Sequence, residues 1–165
     1  MGVLSRSGRR RRRVLVIDPD PVYRAGLEEL LDAHRWVAIP CEAVEFPVRQ
    51  LAEGAFDVMW MEWDQRHAPI QGPELLRRAH EAAPDMPLLV VTSSPGLTRA
   101  QAAAKAVGAM SFSKGDALLA VHCMDEMLDA RDLDESGEHP SYVEASARPV
   151  EVMQKSIRQG GGSAR

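Results

Sequence analysis

Between residues 14 and 131 the chain alternates regularly between short apolar runs and amphipathic segments, and this alternation strongly constrains its fold. The first run, residues 14–17, reads Val-Leu-Val-Ile, which is typical of a strand buried on both faces. The five runs predicted to be strands are residues 14–17, 36–40, 56–63, 86–92 and 109–112. Because helical segments alternate with them through short connections, the pattern predicts an α/β fold, a doubly wound five-stranded parallel sheet with five helices.

The segments between these runs carry apolar residues at helical spacing. Helices are predicted to begin at Pro21 and Pro47 and to span residues 73–83, 97–107 and 116–131. Proline fits the first turn of a helix, and Asp20 can cap the free N–H groups of the helix that begins at Pro21. The side chains expected to face the core include Val22, Leu27 and Leu31 in the first helix, Val48, Leu51 and Ala52 in the second, Ala100, Ala103, Ala104 and Val107 in the fourth, and Leu118 and Val121 in the fifth.

Charge is distributed unevenly along the chain. Residues 1–13 contain six arginines and no acid, although the net charge of the whole chain is −4. This predicts a basic disordered arm at 1–13, one folded domain at 14–131, and at 132–165 an acidic linker followed by a mostly disordered tail with one short helix at 143–158. Alternatively the arm contacts nucleic acid, although no aromatic residue is interleaved with its arginines.

Several classes of protein are excluded by composition. The longest apolar runs have four or five residues, whereas about 20 are needed to span a bilayer. The two cysteines, Cys41 and Cys123, form no metal-ligand pattern, and the five histidines show no metal-ligand spacing. We therefore expect a cytoplasmic protein with reduced thiols and no membrane association.

Polar residues follow four of the predicted strands. In a parallel sheet of this kind, ligand chemistry is located at the carboxyl ends of the strands. The residues at these ends are Asp18, Asp20, Glu62, Asp64, Thr92, Ser93 and Lys114. Acids after the first and third strands, a threonine after the fourth and a lysine after the fifth make this rim the candidate functional site.

Taken in order, these segments resemble the receiver domain of two-component response regulators. The matching segments are Val-Leu-Val-Ile-Asp-Pro-Asp-Pro at 14–21 with Arg24 and Leu27, Phe-Asp-Val-Met-Trp-Met-Glu at 56–62, Gly-Pro-Glu-Leu-Leu at 72–76, Pro-Asp-Met-Pro-Leu-Leu-Val-Val-Thr at 84–92, and Gly-Ala at 108–109 leading to Lys114. The resemblance covers about seven-tenths of the chain. It implies strand order 2-1-3-4-5 and a non-enzymatic signalling module that a histidine kinase phosphorylates on the acid ending strand three.

The same resemblance assigns roles to the residues at the rim. Acids after strand one would hold Mg²⁺, which prefers hard oxygen ligands. Thr92 and Lys114 would contact the phosphoryl group, and Phe112 stands at the aromatic switch position. Two positions depart from the pattern. The phosphoacceptor position holds Glu62 in place of aspartate, and Pro19 replaces one of the acids, which leaves Asp18 and Asp20 as candidate metal ligands.

These departures favour a degenerate receiver that acts through protein–protein interaction or dimerisation. The extra methylene of Glu62 moves its carboxylate by roughly 1.5 Å, in chemistry where 1 Å can cost about 100-fold in rate. An ion pair between Glu62 and Lys114 could then replace metal and phosphate. In the alternative the domain is still phosphorylated in a Mg²⁺-dependent reaction, on Glu62 itself or on Asp64. Asp64 lies on the same face of the strand as Glu62 if the strand continues that far.

Three hypotheses about function remain open from the sequence. Signalling proteins such as a histidine kinase, or a second copy of the chain, would use the face formed by helix 4, strand 5 and helix 5. Nucleic acid would use residues 9–13. A flavodoxin-like enzyme is a third hypothesis, but the first turn, Asp-Pro-Asp-Pro at 18–21, offers negative charge and no cradle for a phosphate.

Overall fold

The computed structural model describes residues 11–65, 68–93 and 96–135. Five strands alternate with five helices along the chain. The strands are β1 Arg12–Ile17, β2 Trp36–Pro40, β3 Val58–Glu62, β4 Leu88–Thr92 and β5 Met110–Ser113. The helices are α1 Pro21–Ala33, α2 Val48–Ala52, α3 Gly72–Ala82, α4 Leu97–Ala106 and α5 Ala117–Glu135, with short 3₁₀ turns at Ala43–Glu45 and Lys114–Asp116.

All five strands are parallel and lie in the order β2-β1-β3-β4-β5. This confirms the predicted fold and strand order. The register pairs Ile17 with Met61, Glu62 with Val91, and Thr92 with Ser113. The carboxyl ends of β1, β3, β4 and β5 therefore meet at one edge of the sheet, which is the edge that carries the candidate site.

One face of the sheet carries a continuous hydrophobic core. Alternate residues of β1, β3 and β4 pack there against α2, α3 and α4. The buried members of this cluster are Leu15, Ile17, Ala43, Leu51, Met59, Met61, Leu75, Leu76, Ala79, Leu88, Val90, Ala100 and Ala104. Ala103 and Val107 are partly buried against it, so the alanine-rich stripe of α4 faces the sheet as predicted.

The opposite face is formed by the intervening strand residues. Because side chains alternate along a strand, Val16, Trp60 and Val91 point away from the cluster above, and all three are buried. The α5 helix contacts the start of β2 on this side, since the Trp36 indole donates a hydrogen bond to Asp125 of α5. This arrangement has helices on both faces of a parallel sheet.

Four expected core positions are exposed. Val22 is 81% exposed, Leu118 51% and Val48 45%. Val22 lies about 140° around the helix from the buried Leu27, at 100° per residue. Leu118 lies about 115° from the centre of the buried stripe of α5. The α2 helix has a single turn, so that Val48 and Ala52 at its two ends face solvent.

The edges of the domain differ from those expected. The β1 strand begins at Arg12, two residues before the predicted start, and it pairs with β2 from that point. Arg11 forms an ion pair with Asp32, and the Arg13 guanidinium lies 5.6 Å from the centre of the Phe56 ring. The last three residues of the predicted arm thus belong to the domain, because their long side chains pair and pack on it. Residues 1–10 lie outside the described part of the chain.

The α5 helix continues to Glu135, past the end predicted at residue 131, so the acidic linker expected from residue 132 begins as helix. The predicted helix at 143–158 lies outside the described residues. Contacts divide the chain into two compact units, with a boundary between Asp125 and Glu126, and the sheet belongs to the first. No helix among the described residues has the length and apolar character required to cross a membrane.

Candidate functional site

The four strand ends bring the predicted residues together. Asp18 follows β1, Glu62 ends β3, Thr92 ends β4 and Lys114 follows β5. Asp18, Glu62 and Thr92 are almost completely buried, with 1%, 3% and 1% of their surfaces exposed. A parallel sheet produces this convergence because every strand ends at the same edge.

The ammonium of Lys114 lies between the two buried carboxylates. Lys114 Nζ is 2.7 Å from Asp18 Oδ2 and 2.9 Å from Glu62 Oε2. The lysine side chain is 18% exposed, whereas those of Asp18 and Glu62 are 0% and 5% exposed. We call these three residues the ion triad. Burial lowers the pKa of Lys114, but the hydrogen bonds and charges of the two carboxylates outweigh this effect and raise the pKa above its ordinary 10.5.

Asp18 is fixed in place by backbone contacts as well as by Lys114. Its Oδ1 accepts a hydrogen bond from the Asp20 N–H at 2.8 Å, and its carbonyl accepts one from the Arg24 guanidinium at 2.7 Å. The partner of Oδ2 is the lysine ammonium, and no other described group donates to it. Burial raises the pKa of Asp18 above its ordinary 3.8, although Lys114 and the Asp20 N–H oppose this effect.

The loop after β3 turns the Glu62 carboxylate inward. Glu62 Oε1 accepts a hydrogen bond from the Asp64 N–H at 2.9 Å, while Oε2 faces Lys114. Gln65, only 1% exposed, donates its side-chain amide to the carbonyl of Glu62 at 2.7 Å and lies 3.4 Å from that of Ile17. Gln65 therefore ties the ends of β1 and β3 together below the site. Both carboxylate oxygens of Glu62 are engaged within the chain.

Asp20 does not join the ion triad. Its Oδ1 accepts hydrogen bonds from the N–H groups of Val22 and Tyr23, at 2.9 and 3.2 Å, so that it caps α1 as the sequence indicated. These hydrogen bonds lower its pKa below 3.8. The side chain is exposed at the mouth of the site and lines the cleft described below.

The oxygen donors at this rim do not fit Mg²⁺, which needs several oxygen ligands in octahedral geometry. Pro19 supplies no side-chain oxygen, Asp20 caps a helix, and an ammonium occupies the position between Asp18 and Glu62. Among the residues that the structure describes, no group of three His, Cys, Asp or Glu side chains is arranged to hold a metal ion.

Tyr23 is a member of the site that the sequence did not single out. Its ring lies 4.3 Å from Lys114 Nζ, which is close enough for a cation–π contact. Its hydroxyl is buried without a hydrogen-bond partner among the described groups. Burial, together with the negative charges of Asp18 and Glu62, raises the pKa of this hydroxyl well above 10. In the sequence, the signal that could have identified Tyr23 was its position in the first turn of α1, three residues after the capping Asp20.

A cleft opens beside the ion triad. It is about 970 Å³ in volume and is lined by Pro19, Asp20, Glu62, Trp63, Asp64, Gln71, Pro73, Thr92, Ser93, Gly96, Arg99 and Lys114. Arg99, an exposed cation on α4, was not anticipated, because the candidate site residues were taken only from the carboxyl ends of the strands. Trp63 lines the cleft, whereas Trp60 is fully buried on the sheet. Phe112 lies half-buried on β5, paired with Val91.

Two glycines set the shape of this cleft. A side chain at Gly72 would collide with the backbone carbonyl of Trp63. A side chain at Gly96 would come within 3.1 Å of Thr92 Oγ1 and 3.3 Å of the Trp63 ring. The first turns of α3 and α4 thus approach the strand ends closely because these positions carry no Cβ atom.

The comparison with solved structures identifies the fold. No protein-family model matches the sequence, and no curated protein matches it either. Among solved structures, a response regulator receiver domain protein (CheY-like) from Methanospirillum hungatei JF-1 is 19% identical with a TM-score of 0.62, covering 74% of this chain and 98% of that one. The signal receiver domain of an HD domain-containing protein from Pseudomonas fluorescens Pf-5 is 22% identical with a TM-score of 0.61, covering 79% and 98%.

A third example is the REC domain of AraT, a response regulator from Geobacillus stearothermophilus. It is 17% identical with a TM-score of 0.62, and the match covers 74% of this chain and 98% of that chain. At such identities the likeness establishes the fold. With its five parallel strands in the order 2-1-3-4-5, the chain has the CheY-like receiver fold of response regulators.

Proposed function

We propose that this chain is a degenerate receiver module of a two-component signalling pathway. It acts through protein–protein contacts in the cytoplasm, and an internal ion pair takes the place of phosphoryl chemistry. The receiver fold supports the signalling role. The ion triad supports the loss of phosphorylation, and it is the observation that carries the proposal.

The electrostatics of the ion triad explain why the site would be inert. A phosphoacceptor must present a free carboxylate oxygen to phosphorus, and a metal must neutralise the charge that develops. Here Glu62 Oε2 lies 2.9 Å from Lys114, and Oε1 accepts the Asp64 N–H at 2.9 Å. Phosphorylation would have to break both contacts and to proceed without a fitting metal site. The ammonium thus supplies within the chain the positive charge that a receiver obtains from a metal ion.

Intact mass spectrometry tests this proposal directly. The full chain is incubated with acetyl phosphate and Mg²⁺ at neutral pH, beside a receiver domain that is known to be phosphorylated. The degenerate module is expected to keep its mass, while the control gains about 80 Da, as one phosphoryl group adds. A stoichiometric gain of that mass in this chain would overturn the proposal.

A second candidate function is a receiver that is still phosphorylated, on Asp64. The observation that favours it is the position of Asp64, which is exposed and lines the cleft together with Thr92 and Lys114. In that case Asp64→Asn would abolish the mass gain and Glu62→Gln would retain it. The opposite pattern would identify Glu62 as the acceptor.

A further inference from the structure

Three hydrogen-bond donors that line the cleft have no acceptor among the residues that the structure describes. They are the Trp63 indole N–H, the Thr92 hydroxyl and the Arg99 guanidinium. The sealed side-chain atoms that lack a partner include the Trp60 indole N–H but neither of the first two groups, so both of these are open to the cleft. Thr92 is nevertheless only 1% exposed. Because buried polar groups are normally hydrogen-bonded, its free hydroxyl indicates a partner from outside the chain.

The three donors converge on the first turn of α4. A Cβ atom at Gly96 would lie 3.1 Å from Thr92 Oγ1 and 3.3 Å from Trp63 Cδ1, the ring carbon bonded to the indole nitrogen. Arg99 follows Gly96 by three residues, about one helical turn, and helical side chains lean toward the start of their helix. Two donors therefore flank Gly96, and the third extends back toward it along α4. A set of donors without acceptors is suited to an oxyanion.

The other charges around the cleft favour a ligand with one negative charge. Lys114 neutralises only one of the two carboxylates of the ion triad, so that the triad retains a net charge of −1. Asp20 and Asp64 add exposed acids to the lining. Because Coulomb repulsion grows with the charge of the ligand, a phosphate dianion is repelled more strongly here than a carboxylate. A carboxylate also matches the planar fork of the Arg99 guanidinium.

We propose that the cleft binds the carboxylate group of a small organic acid, with Trp63 Nε1, Thr92 Oγ1 and Arg99 as donors. The cleft volume of about 970 Å³ lies at the upper end of the range for ligand cavities, about 300–1,000 Å³. Pro19, Pro73 and the Trp63 ring provide apolar lining for the body of such an acid. The inference rests on the proposed function, since a phosphoryl group on Glu62 would occupy the same cleft.

The indole N–H resonances of the ¹⁵N-labelled full chain test this site. The chain is titrated with sodium benzoate at neutral pH and constant ionic strength, and Trp63→Phe identifies the resonance of Trp63. This resonance is expected to shift in a saturable manner. The other two should stay in place, because the Trp36 N–H is bonded to Asp125 and the Trp60 N–H is sealed in the core.

Substitutions of the donors measure their contributions to benzoate binding. Arg99→Gln should weaken binding at least about tenfold, since a charge-assisted pair is lost. Thr92→Val removes one neutral hydrogen bond and should weaken binding about 2- to 10-fold. Lys105→Gln is the matched control, because Lys105 is an exposed cation at the other end of α4, and it should leave the affinity unchanged. The dispersion of the amide resonances establishes that each variant is folded.

Three results would overturn the carboxylate site: a Trp63 resonance that does not respond to benzoate, wild-type affinity in Arg99→Gln, and tighter binding of inorganic phosphate than of benzoate. Failure of this site is distinguishable from failure of the proposed function. A mass gain after incubation with acetyl phosphate would overturn the proposed function. A chain that keeps its mass but shows no Trp63 shift would lose the carboxylate site alone.

Discussion

At the level of single residues, Lys114 compensates two buried negative charges. Removing one partner of a buried ion pair leaves the other charge without compensation, which typically costs about 3–5 kcal/mol. We expect Lys114→Met to lower the free energy of unfolding by an amount in this range, measured by urea denaturation at pH 7. Lys105→Met is the matched control, since Lys105 is exposed at the end of α4, and it should change stability by no more than about 0.5 kcal/mol. Equal effects of the two substitutions would contradict a stabilising role for the ion triad.

The pH dependence of this interaction follows from the raised pKa of Lys114. A base whose pKa is higher in the folded state stabilises that state fully below its unfolded pKa, here 10.5, and loses this contribution as pH rises through the folded value. The difference in unfolding free energy between the wild type and Lys114→Met should therefore stay constant from neutral pH to about pH 10 and shrink only above it. Urea unfolding of both proteins over a pH series measures this difference. A decline that begins near pH 8 would show that burial dominates and lowers the pKa.

At the level of elements, the start of α3 depends on the absence of a side chain at Gly72. Because a Cβ atom there would collide with the carbonyl of Trp63, we expect Gly72→Ala to destabilise the domain by about 1–3 kcal/mol. The matched control is Gly26→Ala in α1, where an added Cβ meets nothing within 4 Å. This second variant should be more stable than the wild type by about 0.5–1 kcal/mol, since alanine favours helix over glycine. Thermal unfolding of both variants gives the comparison, and the expectation fails if they shift in the same direction.

At the level of the whole molecule, the exposed Leu118 belongs to the proposed contact face of α4, β5 and α5. If this face joins two copies of the chain, Leu118→Glu should convert a dimer to a monomer, because it would bury an unpaired charge. Val22→Glu is the control, since Val22 is more exposed but lies on α1. Sedimentation velocity distinguishes the species. A wild-type chain that remains monomeric at every concentration would refute the dimer, as would equal dissociation by both variants.

Contacts at the start of the domain involve part of the basic arm predicted at residues 1–13. Three of its arginines are already engaged on the domain, since Arg11 pairs with Asp32 and the guanidinium groups of Arg12 and Arg13 lie over Trp36 and Phe56. The ion pair of Arg11 with Asp32 offsets one of the six positive charges of the arm, whereas the ring contacts leave the charges of Arg12 and Arg13 in place.

The sequence by itself determined the parts of this protein that depend on local pattern. Buried runs of β-branched residues, helices started by proline and an aspartate cap predict the order of the elements. Right-handed crossovers make the strands parallel, so that their carboxyl ends all lie at one edge of the sheet. The pattern therefore places Asp18, Glu62, Thr92 and Lys114 at the same edge of the sheet, whereas the strand order that makes them neighbours was implied by the resemblance to receiver domains.

Only the tertiary structure decided which of these groups contact one another. The turn after β3, held by Gln65, directs Glu62 toward Lys114, while two backbone N–H groups hold Asp20 at the start of α1. The contact of His34 with His122 joins residues from separate helices. Contacts of this kind depend on loop conformation and on distances set by the packing of the whole domain. No periodicity in the chain encodes them.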